Sequence, residues 1–324
     1  MESSRASVGE AGTSYDGIRT PPRQQVVLPT FELPRRYPHS PDSGFKKEDE
    51  MVRFEGITAI GTDLDGVWLN YRDYAESASQ LMLARYGIHY QLDELRRLRE
   101  NSDDLFETTI RLVLEKLGRV GDLDTDNKLR DELVAIEKEK FGHFRDILLV
   151  CDIARDWLNS ELPVPFFAAT NRMPDAAFEG IYHIGIERLA DAYVSQDPLR
   201  GIRRKPEADM FVEAMNRLNL SGKVIYLEDT PSHHAELKKN VLNATDGRIE
   251  IVPIGILPPG FGYSKQFEDL HFKGGAVAVF PTVTHFFKDL AKGLKKFWLH
   301  ELIKEDMQLH RRSLGRQMGG RWEV

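Results

Sequence analysis

Two carboxylates one residue apart, Asp63 and Asp65, stand near the end of the stretch ITAIGTDLDGVW (Ile57 to Trp68) and are followed at once by Gly66. The apolar run before them, rich in Ile and Thr, predicts a buried strand, and the glycine marks where the chain must turn. Open α/β sheets bind their ligands outside the carboxyl ends of their strands. A carboxylate pair placed there can hold a divalent cation and act on a phosphoryl group. Metal-dependent phosphoryl transfer is therefore the first chemistry these residues suggest.

Other chemically useful residues stand at the ends of later runs. PVPFFAATN closes on Thr170 and Asn171, KVIYLEDT closes on Glu228 and Asp229, and the loop GIRRKPEADMF supplies Lys205 immediately before Pro206. Each has a plainer reading when taken singly. An acid pair at a strand end caps or solvates a turn, a Thr-Asn pair caps a helix, and a lysine before proline is an exposed cation. Their conjunction in one sheet is what carries weight.

The elements that must position these residues follow from periodicity. From about Arg72 to Phe144 the pattern is helical, with Phe106, Ile110, Val113 and Leu117, then Leu129, Leu133 and Ile136, at helical spacing. From about Asp146 helices and strands alternate: DILLVCDIARDWLN before PVPFFAATN, a helix near Asp175 to Leu189 before AYVSQ, and Glu207 to Leu218 before KVIYLEDT. IEIVPIGIL and GAVAVF add two more strands, and a last helix from near Thr282 carries Phe286, Phe287, Leu290, Leu294 and Phe297 on one face. This order predicts an α/β fold, a doubly wound, Rossmann-like parallel sheet covered on both faces, with a small helical domain inserted after the first strand. The expected limits are a disordered tail over 1–52, a core over 53–70 and 146–290, a helical cap over 71–145, and a helical extension over 291–324. Within the tail, VVLPTFELP (Val26 to Pro34) is the one apolar patch, expected to pack loosely or not at all.

Composition narrows the classes. With 324 residues, 41% of them hydrophobic, the chain can bury one sizeable core and a smaller second one. A net charge of −7 gives no reason to expect nucleic acid as a partner. The single cysteine, Cys151, rules out an intramolecular disulfide, sits in an apolar helical run expected to be core, and makes a reducing compartment the default. No run reaches the roughly 18 apolar residues of a membrane span, and the first residues lack the apolar centre of a secretory signal. The expectation is a cytoplasmic protein.

The order of the motifs resembles the haloacid dehalogenase superfamily of phosphotransferases. DLDGV (Asp63 to Val67) looks like its first motif and FFAATN (Phe166 to Asn171) like its second. Lys205 within KPEADMF matches the third in the form seen in the phosphoglycolate phosphatase and β-phosphoglucomutase branch, and VIYLEDT (Val224 to Thr230) matches the fourth. The likeness spans roughly Ile57 to Leu290, with the helical insertion in the place of that branch's cap. It implies that Asp63 is the nucleophile and forms an aspartyl-phosphate. It implies Mg²⁺ held by Asp63, the backbone carbonyl of Asp65 and Asp229, with Glu228 direct or through water. Asp65 would be the general acid and base, and Lys205 a point charge on the transferring oxygens. The Thr170 hydroxyl and the backbone N–H groups of Leu64 and Asn171 would complete the phosphate cradle. An acid two residues after the nucleophile favours phosphate esters over dehalogenation.

The implied activity is a Mg²⁺-dependent phosphatase acting on a small-molecule phosphomonoester. The alternatives are a sugar-phosphate mutase using the same residues and a non-catalytic interaction module using the long ends. Trp68 stands where the family carries a small aliphatic residue or Leu, and is expected at the junction of core and cap or in the substrate pocket. His233 stands where Glu-Asp relatives carry Gly, with His234 after it, and both are expected to be inert. Arg203 and Arg204 are expected on a solvated loop, with anion binding as the rival role. The terminal helix beyond Leu290 is expected to pack on the protein's own core or on a second copy, or to meet another protein, rather than a membrane.

Overall fold

In the computed structural model the described residues are 26–36, 51–91, 94–95, 98, 105–140, 152–160, 162–186, 188–189, 192–257 and 265–294. Cys151, Phe297 and most of the two expected extensions lie outside them. Two short strands, β1 (Phe31–Pro34) and β2 (Met51–Phe54), pair antiparallel. Six parallel strands then form the central sheet: β3 (Ile57–Thr62), β4 (Phe166–Thr170), β5 (Tyr193–Ser195), β6 (Gly222–Glu228), β7 (Ile249–Ile256) and β8 (Ala278–Phe280). Their order is β5-β4-β3-β6-β7-β8, so the chain winds outward from β3 in one direction and then restarts beside β3 in the other. That reversal is a topological switch point, and its crevice opens between the carboxyl ends of β3 and β6.

Strand alternation sorts the core onto two faces. Ile60, Phe166, Ala168, Ile225, Leu227 and Ile254 face one layer with α4 (Asp152–Ser160), α5 (Pro174–Ile184) and α9 (Val283–Gly293). Ala59, Phe167, Ala169, Val224, Tyr226 and Ile251 face the other, with α6 (Asp209–Leu218) and α7 (His233–Ala244). The doubly wound parallel arrangement expected from the sequence is the one observed. Thr282 caps α9 by accepting the His285 backbone N–H on its hydroxyl, which fixes where the last helix begins.

Between β3 and α4 the described residues include three long helices, α1 (Tyr71–Arg85), α2 (Leu105–Leu117) and α3 (Leu123–Lys140). Ala78, Met82, Ile110, Val113, Leu129 and Leu133 join in an apolar cluster apart from the sheet's own. Between β7 and β8 lies α8 (Lys265–Lys273), which meets α7 through a histidine pair. There His234 and His271, both fully buried, meet with Nε2 and Nδ1 2.8 Å apart.

Two expectations are corrected. The apolar patch Val26–Pro34 is packed rather than loose: Phe31 stacks on Phe54 at 5.2 Å, and Leu28, Phe31 and Leu33 are buried in the core. The Arg35 carbonyl also accepts the Val279 N–H on the outer edge of β8. Four residues between prolines carry too short an alternation to be read, and their partner strand lies some twenty residues on. Trp68 is also wholly core. Its ring packs on Phe166 and Phe287 at 5.9 and 5.7 Å, and its Nε1–H donates to the Thr62 hydroxyl at 2.7 Å.

Phe287 touches Trp68, Trp157, Phe166 and Phe286, so Phe287→Ala is expected to cost about 3–5 kcal/mol of stability, measurable by urea denaturation. A second expectation concerns pH. Burial lowers His234 from 6.5 to about 4. Between those values the folded chain binds fewer protons there than the unfolded chain, so stability falls as pH drops through this window. The loss approaches about 3 kcal/mol, at roughly 1.4 kcal/mol per pH unit. His234→Gln is expected to flatten the urea midpoint between pH 7 and pH 4.5 relative to the wild type.

Candidate active site

The order β4-β3-β6 places Thr170, Asp63 and Glu228 side by side at the carboxyl ends of three strands. The Asp63 backbone N–H donates to the Leu227 carbonyl at 2.9 Å, fixing the nucleophile candidate level with Glu228. Asp63, Tyr226 and Glu228 lie on the sheet face lined by Ala59 and Gly61. Those small residues matter, because a Cβ on Gly61 would stand 2.5 Å from the Phe167 ring.

At the centre is a buried cation. Lys205 is 1% exposed. Its Nζ lies 2.8 Å from Asp63 Oδ2 and 2.8 Å from Glu228 Oε2, and donates to the Tyr226 hydroxyl at 3.1 Å. Tyr226 in turn donates to the Ala169 carbonyl at 2.7 Å. All three ammonium donors thus have oxygen partners, which offsets the cost of desolvating the charge. The Lys205 backbone N–H is held by the Asn171 side-chain oxygen at 2.7 Å, tying the lysine loop to the end of β4.

Asp63, Glu228 and Asp229 present carboxylate oxygens all within 4.8 Å of one another. Asp229 fits there because residue 66 is glycine. Its φ is +75°, and a Cβ would come 1.8 Å from Asp229 Oδ2, so both backbone conformation and space demand glycine. Burial pushes the Asp63 carboxyl well above the usual range; Glu228, Asp229 and Asp65 push the same way and Lys205 opposes them. Burial also acts to raise Glu228, but Lys205 and His233 outweigh it and hold that carboxyl well below its usual value. The Lys205 ammonium stays well above its ordinary range, because Asp63 and Glu228 overcome the effect of burial.

Asp65 stands apart from that trio. Its carboxylate is gripped by Arg172, with Nη2 donating to Oδ1 at 2.6 Å and Nε to Oδ1 and Oδ2 at 3.0 and 2.9 Å. The Thr170 hydroxyl accepts the Arg172 backbone N–H at 3.2 Å, and the Leu64 N–H donates to Asp63 Oδ1 at 2.8 Å. The candidates Asp63, Leu64, Asp65, Thr170, Asn171, Lys205, Glu228 and Asp229 therefore lie together at the strand ends. Two differ in detail from what the resemblance implied: the Leu64 N–H serves Asp63 here, and the Lys205 ammonium serves carboxylates. His233 is a neighbour of the site, with Nδ1 3.4 Å from Glu228 Oε2, whereas His234 belongs to the core. Arg203 is paired with Asp209 through Nε and Nη2 at 2.7 and 2.9 Å. Arg204 reaches 3.8 Å from Glu107 on α2, which brings the helical insertion against the lysine loop.

Sequence reasoning missed Arg172 and Tyr226. The available signal for Tyr226 was a hydroxyl in an otherwise apolar strand, two residues before Glu228 and so on its face. Arg172 gave none beyond its place after Thr170 and Asn171.

No protein-family model and no curated protein sequence matches this chain. Solved structures do. A conserved haloacid dehalogenase-like protein of unknown function from Agrobacterium tumefaciens strain C58 is 18% identical with a TM-score of 0.52, over 73% of this chain and 99% of that one. A haloacid dehalogenase hydrolase, family IA, variant 3, from Entamoeba histolytica is 20% identical with a TM-score of 0.51, over 74% and 99%. A haloacid dehalogenase family hydrolase from Deinococcus radiodurans R1, with bound phosphate and sodium, is 18% identical with a TM-score of 0.50, over 73% and 96%. At these identities the likeness establishes a shared fold.

The buried cation yields a direct expectation. Lys205→Met leaves Asp63 and Glu228 facing one another uncompensated, so it should cost about 3–5 kcal/mol in metal-free buffer. Thermal denaturation with and without millimolar Mg²⁺ measures this, and the cation should restore part of the loss.

Proposed function

We propose that the protein is a Mg²⁺-dependent phosphatase of small phosphomonoesters, working through an aspartyl-phosphate on Asp63. The observation that carries this reading is the buried Lys205 ammonium, 2.8 Å from both Asp63 and Glu228 with Asp229 alongside, at the switch point of the sheet. Asp63, Glu228 and Asp229 carry three negative charges against one on Lys205, while Arg172 balances Asp65. The remainder is two negative charges, and the neighbouring carboxylates add to the upward push that burial puts on Asp63. A hard divalent cation matches that remainder and the all-oxygen donor set.

Asp63 and Asp229 would hold the cation. Glu228 stands behind them, since Lys205 and His233 crowd its Oε2 and its Oε1 accepts the Thr230 N–H at 3.1 Å. Bound there, Mg²⁺ supplies the positive charge that lets a dianionic phosphate approach a carboxylate. An Asp63 oxygen attacks phosphorus in line, the P–O bond to the alcohol breaks, and the leaving oxygen takes its proton from Asp65. Asp65 then takes a proton from water, which attacks phosphorus, releases inorganic phosphate and restores the Asp63 carboxylate. Lys205 keeps Asp63 aimed, and the Thr170 hydroxyl with the Asn171 N–H lines the phosphate position. The helical insertion, touching the lysine loop through Glu107 and Arg204, serves as the cap that excludes water and reads the leaving group. The phosphate bound to the similarly folded Deinococcus hydrolase supports the same use of the fold.

Phosphate release from a panel of small phosphomonoesters, with Mg²⁺ and with chelator, tests the proposal. One phosphate per ester is expected, only with metal, and Asp63→Asn should lower turnover by roughly 10³-fold or more while circular dichroism stays unchanged. Transfer of the phosphoryl group back to a sugar phosphate, without net release, would convert the reading to a mutase. An Asp63→Asn protein as active as the wild type would end it.

A further inference from the structure

Arg172 has no part in the reaction just outlined, yet it makes the most extensive contact with Asp65. We propose that Arg172 is the positioning residue for Asp65, fixing which carboxylate oxygen exchanges protons with the leaving group and with water. The inference rests on the phosphatase reading and adds a residue to it.

The geometry is that of a planar fork closed on a carboxylate. Of the two partners the arginine is the anchored one, its side chain 9% exposed against 29% for Asp65. Its backbone is tied to the Thr170 hydroxyl. Its Nη1 lies 3.9 Å from where a Cβ on Gly180 of α5 would stand. The anchor thus draws on the core, through the end of β4 and through α5. The Asp65 end is fixed as well, because the turn that carries it closes through the Gly66 N–H to the Leu69 carbonyl at 2.8 Å and a bridge between Asp65 and Leu69. With both ends set, the carboxylate is confined to one rotamer out of several.

The contacts are unequal. Oδ1 receives both Nη2 and Nε, whereas Oδ2 shares Nε alone. Oδ1 is the held oxygen, and Oδ2 is the one left to carry a proton. Lys205 cannot take over this task, since its donors are engaged by Asp63, Glu228 and Tyr226. A general acid acts only when its proton is aimed at the leaving oxygen within hydrogen-bond reach, so losing the fork should weaken proton transfer and little else.

Leaving groups separate this role from a structural one. An alkoxide needs a proton as it departs, whereas a nitrophenolate leaves without one, and kcat/KM reports the chemistry through that departure. In Arg172→Gln, kcat/KM for an alkyl phosphate is expected to fall about 10²-fold, within the span of general acid catalysis. For p-nitrophenyl phosphate it should fall less than about threefold, and Arg172→Lys should lie between Gln and wild type with the alkyl ester. The double variant Asp65→Asn with Arg172→Gln should be no slower than Asp65→Asn alone, because a residue acting through Asp65 has nothing left to position. Equal losses with both esters, or an additive loss in the double variant, would overturn the inference and leave the phosphatase reading standing. Should Arg172→Gln misfold, Arg172→Lys and the double-variant comparison built on it decide the matter in the same way. A wild type that releases phosphate from neither ester would remove the phosphatase reading and, with it, this one.

Discussion

The ammonium of Lys205 is enclosed between Asp63 and Glu228, and much of the molecule is arranged around that fact. A lysine with almost no exposure is tolerated only where every donor has an oxygen and the opposing charge is close. Two neighbouring parallel strands supply those oxygens at matched heights, because Asp63 is bonded to β6 at the level of Leu227. A slip of one residue in that register would turn Asp63 or Glu228 to the opposite face and leave the cation alone in an apolar layer. The register of the sheet and the charge of the site therefore constrain each other.

Room for the lysine comes from what is absent elsewhere. On the face where Lys205 enters, β3 carries Ala59 and Gly61, so the rings of Phe167 and Tyr226 from the flanking strands can close over it. The other face of the same strand is filled by bulk, with Ile60 and Leu64 buried and Trp68 folded back onto Thr62. The asymmetry divides the labour. One layer of helices, anchored by the Trp68, Phe166, Phe286 and Phe287 rings, holds the sheet, and the other has space for a functional side chain to reach the strand ends. Gly66 extends the same economy to the turn, where a side chain would displace Asp229.

The sequence was most readable where a residue's neighbours along the chain decide its place. Ile57 to Thr62 had to be a buried strand and the acids after it had to lie at its end. The alternation of helices and strands after Asp146 left a parallel sheet as the natural outcome. What escaped were contacts between residues far apart in the chain. Phe31 and Leu33 are buried because β2 comes back to pair with them, and no local pattern announces that. Arg172 matters because Asp65 is 107 residues away in sequence and 2.6 Å away in space. Nothing local in KVIYLEDT marks the role of Tyr226, although its hydroxyl spans from β6 to a carbonyl of β4 across the strand between. Trp68 was expected at a boundary because the residue type departs from the family pattern. Its neighbours, however, are set by α9, more than two hundred residues downstream.

The two cations of the site differ in a way that follows from their side chains. Lys205 offers three donors around a compact charge and sits where three separate oxygens converge, whereas Arg172 offers a flat fork and meets the two oxygens of one carboxylate. Exchanging them would serve neither place: a flat fork does not match three oxygens from three separate side chains, and an ammonium would let Asp65 turn. Each of the two acids is thus matched with a cation of different geometry, Asp63 with a point charge shared with Glu228 of a second strand, Asp65 with a fork that leaves one oxygen lightly held. Both cations arrive from loops tied to β4, Lys205 through the Asn171 side chain and Arg172 through the Thr170 hydroxyl. The Thr-Asn pair at the end of that strand, which alone would pass for a helix cap, is what brings a different cation to each of the two acids that follow β3.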